Sequence, residues 1–200
     1  TAHVDIKKRC LIFCSFCMDF MQIFGIAVFA LRNKSYRIVC AFVLFFIMRQ
    51  GIQGIFLMAR LNGFIWEDPG VPSLTVPYHD TNDFFFSGHV GASAIWMFEY
   101  HASGYWFMAV ACFLIMWLEG FMLTVYRTHY IIDMITGFII GHFCYIQGEY
   151  LSYWIDVKLF GWAHKERLPL YHNTCEKCGW SNVELRHRIS KDELKFLLQT

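Results

Sequence analysis

Five apolar runs, at about 10–31, 36–59, 84–101, 104–126 and 130–155, limit this chain to one kind of fold. Each is roughly 18–26 residues, enough to cross ~30 Å of hydrocarbon at ~1.5 Å per residue. Backbone polar groups in lipid must pair within their own segment, so helices are the expected form. An apolar content of 56% against 16% charged residues places the chain outside the range of a soluble domain of this size. Trp and Tyr gather near the run ends, where rings rest at the lipid–water boundary. The expectation is an all-α, polytopic helical membrane protein of about five transmembrane helices. Residues 1–156 form the transmembrane domain, and 157–200 a small polar C-terminal tail. The third run, interrupted by Gly88, Gly91 and Ser93, is the shortest.

A net charge of +1 gives nucleic acid nothing to hold, so membrane lipids are the partners implied, with other membrane subunits as a second class. Of the eight cysteines, six lie in or beside apolar runs and read as free, small hydrophobes. Counting crossings puts residues 1–9, the 60–83 loop and the 127–130 turn on one face, A. The 32–37 loop, the 101–104 turn and the tail fall on the other, B. Arg32, Lys34, Arg37, Lys158, Lys165 and Arg167 weight face B, which makes it the cytoplasmic or matrix side; Lys7, Lys8 and Arg9 on A run against that bias. An endomembrane location is favoured, with the mitochondrial inner membrane as the alternative. The A-face loop holds Pro69, Gly70, Pro72 and Pro77 and reads as a rigid, turn-rich lid.

The chemistry gathers on face A. His89 opens the third run and His129 separates the fourth from the fifth, so both imidazoles reach the same boundary. His129 and Asp133 stand four apart at a helix start, hence on one face about a turn from each other. A carboxylate there accepts from one ring nitrogen, fixes the tautomer and leaves the other lone pair free to attack. His89 is then placed to protonate a departing alkoxide and to take a proton from an incoming hydroxyl. The competing account is two interfacial histidines satisfied by headgroups or backbone. Asp83, ahead of Phe84-Phe85-Phe86, either caps the third helix or orients His89, capping being the simpler role. Ser87 and Gly88 let the backbone approach a phosphate.

Asp83-x-x-Phe86-Ser87-Gly88-His89 and His129-Tyr130-x-x-Asp133, with 40 residues between the histidines, resemble the paired signature blocks of the sphingomyelin synthase family. That family is the C-terminal branch of the type 2 phosphatidic acid phosphatase superfamily. The Arg127-x-His129-Tyr130 spelling is most similar to the phosphatidylcholine:diacylglycerol cholinephosphotransferases. The resemblance spans about residues 36–155. It implies a helical lipid enzyme in which His129, oriented by Asp133, attacks phosphorus. His89 serves as acid and base, and a phosphohistidine passes its headgroup to a lipid alcohol without a metal. The phosphatase branch carries an arginine six residues before the second histidine, where this chain has Leu123.

Asp19, Arg49, Glu119 and His142 fall near mid-membrane, where ionisable groups persist when paired or functional. They read either as an ion-pair knot between helices or, for Arg49 and Glu119, as the floor of a headgroup pocket. Arg127, beside His129, is a candidate to neutralise phosphate oxygens or a snorkelling side chain. In the tail, Cys175-x-x-Cys178 with His172 and His187 has the spacing of a structural zinc clip, reduced thiols being the alternative. Three functions are consistent with these residues. The first is phosphocholine or phosphoethanolamine transfer from a phospholipid to diacylglycerol or ceramide. The others are lipid phosphate hydrolysis and a non-catalytic scaffold in a larger membrane assembly.

Overall fold

The computed structural model describes residues 2–32, 35–56, 70, 73, 86–127 and 129–160. They form five α-helices: α1 (Ala2–Arg32), α2 (Arg37–Ile55), α3 (Gly88–Ala102), α4 (Trp106–Val125) and α5 (Ile131–Tyr153), the last continuing into a π-helical turn, Trp154–Leu159. Four segments are long and apolar enough to cross a membrane: Lys8–Phe29, Arg37–Ile55, Trp106–Val125 and Ile131–Asp156. Their outer faces carry large apolar side chains, among them Phe16, Phe20, Trp117, Phe121 and Ile139, all more than half exposed. Such a girdle suits lipid and not water. The fold is all-helical, as the apolar runs require.

Helix α3 differs from the rest, and its place in the bundle explains why its sequence looked weakest as a span. Ten of its 15 residues are buried, and it touches all four other helices. A helix enclosed by protein needs small and polar residues more than lipid-facing ones, and Gly91, Ala92, Ser93 and Ala94 supply them. Across the α3–α5 seam, Gly137 and Gly141 let two backbones meet. A β-carbon at Gly137 would lie 2.6 Å from the Ser87 carbonyl oxygen, and one at Gly141 2.7 Å from that of Gly91. Phe45, Phe86, Ile95, Trp96 and Tyr100 fill the core between α2 and α3.

Two sequence expectations change. Helix α3 begins at Gly88, four residues later than the apolar Phe84–Phe86 run implied, and its N-cap is Ser87, whose hydroxyl accepts from the Val90 amide at 3.4 Å. Asp83, expected as the cap, lies outside the described residues. Arg37, read as a face-B loop charge, is wholly buried. Its Nε donates to Glu99 Oε2 at 2.8 Å, its Nη2 to Glu99 Oε1 at 3.0 Å and its Nη1 to Glu149 Oε2 at 3.1 Å. The Tyr145 hydroxyl donates to Glu99 at 3.2 Å, while Asp156 accepts from Ser35 Oγ at 2.8 Å and from the Tyr36 amide at 3.0 Å. An ion-pair knot does lock the helices, but at the B end and from other residues than those expected. The charge bias toward face B is correspondingly weaker by one arginine.

Candidate functional site

At the opposite, A end, the starts of α3 and α5 are tied by the Ser87 amide, which donates to the Asp133 carbonyl at 3.1 Å. This bond sets the Ser87-Gly88-His89 turn directly against the turn bearing His129. The Asp133 carboxylate is fully buried, and His129 is 6% exposed. One carboxylate oxygen, Oδ2, accepts from the Tyr130 amide at 2.8 Å and faces His129 Nδ1 at 3.3 Å. Residue Asp133 thus satisfies an amide at the helix start and orients the ring with the same atom. With Oδ2 as the acceptor, this contact selects the tautomer that carries the proton on Nδ1 and the lone pair on Nε2. The i, i+4 spacing reaches this geometry because the capping contact fixes the first turn of α5.

His89 occupies the first turn of α3, within electrostatic reach of both His129 and Arg49. Its Nδ1 is buried and has no hydrogen-bond partner among the described residues. Arg49 comes from the A end of α2, and its guanidinium lies against Gly88. A β-carbon there would stand 2.9 Å from Arg49 Cζ and 3.1 Å from Nη2. A guanidinium at the first turn of a helix, within electrostatic reach of His89, presents an anion with a positive charge. Of the expected phosphate-binding residues, the structure brings Arg49, Ser87 and Gly88 together with His89. The Ser87 hydroxyl is occupied as the helix cap and fully buried, so the residue holds the turn in place. Arg127 stands exposed in the α4–α5 turn at a φ of +55°, the left-handed region that non-glycine residues seldom adopt. Its amide donates to the Thr124 carbonyl at 3.1 Å and closes α4.

Glu119 sits deeper on α4, about as far below Arg127 as two helical turns imply. Its neighbours come from α1 as well as α3. The Cys14 thiol lies close to its carboxylate, and the two side chains share a small cavity with His89. The other mid-membrane groups go elsewhere: Asp19 accepts from Ser73 Oγ at 3.0 Å, and His142 packs against Phe98 with ring centroids 4.9 Å apart. Sequence reasoning missed Cys14 as a neighbour of the site, since nothing local to α1 marks it. Among the described residues the six cysteines are free, and no cluster of His, Cys, Asp and Glu could hold a metal. The proposed zinc ligands His172, Cys175, Cys178 and His187 lie outside the described residues, as do most of the A-face loop and the tail from residue 161.

Residues 81–150 match a family model described as PAP2 superfamily C-terminal, about a third of the chain. The matched stretch runs from just before α3 to near the end of α5 and includes both histidines and Asp133. No curated protein and no solved structure matches the chain significantly. The family match supports the type 2 phosphatidic acid phosphatase (PAP2) superfamily, whose members are typically lipid phosphatases or phosphotransferases. Together with the four membrane-length helices among the described residues, it fits a multi-pass membrane protein.

Proposed function

We propose that the chain moves a phosphocholine or phosphoethanolamine headgroup from a phospholipid to a lipid alcohol such as diacylglycerol or ceramide. The observation that carries this reading is the buried His129–Asp133 pair set beside His89 and Arg49 at one end of the bundle. In the first step Nε2 of His129 attacks phosphorus, the bond from phosphorus to the glycerol oxygen breaks, and the leaving alkoxide takes the proton that His89, as the imidazolium, carries on Nε2. Asp133 stabilises the imidazolium character that His129 gains as its N–P bond forms. In the second step the acceptor hydroxyl gives its proton to His89, its oxygen attacks phosphorus, and the N–P bond breaks. Arg49 and the first turn of α3 neutralise the phosphoryl oxygens, with Arg127 at the rim. No metal enters this scheme.

Lipid phosphate hydrolysis is the same first step with water as the second acceptor. Leu123, a buried apolar residue where the phosphatase branch carries arginine, weighs against it. The near-complete burial of His129 favours a third reading, a scaffold subunit whose site is closed. One assay separates the three. Purified protein in vesicles holding headgroup-labelled phosphatidylcholine and diacylglycerol moves label to a second lipid if it is a transferase. Label enters water if it is a hydrolase and stays on the donor if it is a scaffold. An endomembrane location suits the transferase, since donor and acceptor lipids meet there.

A further inference from the structure

We infer that Glu119 positions His89 through one water molecule held in the cavity between them. The cavity is walled by residues that include Leu11, Cys14 and Ser15 of α1, His89 of α3, Glu119 of α4 and Tyr126 at its C-cap, with about 10 Å³ open to the centre of a water molecule. That is room for a single water. It is far too small for a trimethylammonium group, so in this conformation Glu119 does not receive a choline headgroup. Two buried polar atoms in this wall lack a hydrogen-bond partner among the described residues: Nδ1 of His89 and Oε1 of Glu119. A ring nitrogen and a carboxylate oxygen, both buried and unpaired around a one-water cavity, are what a bridging water satisfies, and Ser15 and Tyr126 add polar atoms to its shell. Glu119 is 5% exposed, and Cys14 lies in the same wall beside it.

The consequence is a second imidazole–carboxylate pair, longer by one water than the first. Glu119 accepts through the water from Nδ1–H of His89, which keeps the proton on Nδ1 and turns Nε2 toward the phosphodiester. When His89 gains its second proton on Nε2, the carboxylate balances the imidazolium. Glu119 is thus a positioning residue acting through His89. Its catalytic meaning rests on the proposed transfer, whereas the location of the His89 proton does not.

The test reads that proton directly. Protein labelled with ¹⁵N-histidine is reconstituted in nanodiscs, and the His89 signals are assigned by their loss in His89→Gln. Wild type is expected to carry the proton on Nδ1. In Glu119→Met, which keeps the length of the side chain without its acceptor, the neutral ring shifts toward the Nε2–H tautomer. Glu119→Leu, which also lacks an acceptor, repeats the comparison should the methionine variant fold poorly. Unchanged His89 signals in both variants overturn the inference. In the label-transfer assay, Glu119→Gln is expected to lower kcat about tenfold with KM for the phospholipid within about twofold, and Glu119→Asp to recover part of the loss. A tautomer shift in a protein that transfers no label would uphold the water link and defeat the transferase reading instead.

Discussion

Gly88 offers a way to move Arg49 while leaving the side chains of His89, His129 and Asp133 unchanged. Replacing it with alanine adds a β-carbon that would meet Arg49 Cζ at 2.9 Å, Nε at 3.0 Å and Nη2 at 3.1 Å. Carbon atoms rest at ~3.5–4.0 Å, so the guanidinium must retreat by about 0.6–1 Å. It is the far end of a flexible side chain and can do so at little cost. The helix start itself gains about 0.4–1 kcal/mol from Gly→Ala through the unfolded chain, so stability should stay within ~1 kcal/mol of wild type. Catalysis is less forgiving, because misplacing a charge-neutralising group by ~1 Å costs on the order of 10²-fold. Gly88→Ala should therefore fold normally, show an unchanged melting temperature in detergent, and transfer labelled headgroup ~10- to 100-fold more slowly. The control is Gly51→Ala, two residues beyond Arg49 on α2, where a β-carbon meets nothing within 4 Å. It should transfer at the wild-type rate. A Gly88→Ala variant with full activity would remove Arg49 from the phosphate site; a badly unfolded one would show that the turn, and not the guanidinium, is the constraint.

Gly137→Ala should behave oppositely: its β-carbon meets the Ser87 carbonyl at 2.6 Å, and backbone cannot step aside, so α3 and α5 must separate at a cost of about 1–3 kcal/mol, read as a lower melting temperature with activity lost in parallel. Arg37→Met leaves Glu99 and Glu149 buried without their cation and should destabilise by ~3–5 kcal/mol; an unchanged melting temperature would mean that the B-end knot contributes nothing. Arg127→Gly relieves a left-handed residue at φ +55° and should raise stability by about 1 kcal/mol. The same variant is expected to lower label transfer, and retained transfer would return Arg127 to a snorkelling role.

Much of this architecture was legible because lipid enforces simple rules. Apolar length located the helices, but α1 begins at Ala2, eight residues before its apolar run, and α3 at Gly88, four residues after the start of its run. Counting crossings brought His89 and His129 to the same end, and the spacing of His129 and Asp133 gave their contact. The sequence misled at α3 because Phe84–Phe86 looked like helix, whereas Phe86 is a buried core ring preceding a serine cap. It misled at Arg37 because the arginine follows Arg32 and Lys34 and resembles a loop charge. Its partners Glu99 and Glu149 are 62 and 112 residues distant, and no local period joins them. Glu119 was read as the floor of a pocket, but α4 alone could not show that Cys14 from α1 and His89 from α3 share its cavity. Pairings between helices are set by packing, and packing here turns on single glycines.

The most direct measurement is a search for phosphate on His129 itself. Protein mixed with phosphatidylcholine and no acceptor lipid, quenched in alkali and digested, should yield a peptide carrying phosphocholine on the His129 ring, absent in His129→Ala and discharged when diacylglycerol is added before the quench. Steady label transfer with no such adduct at any time point, or transfer that survives His129→Ala, would contradict the account.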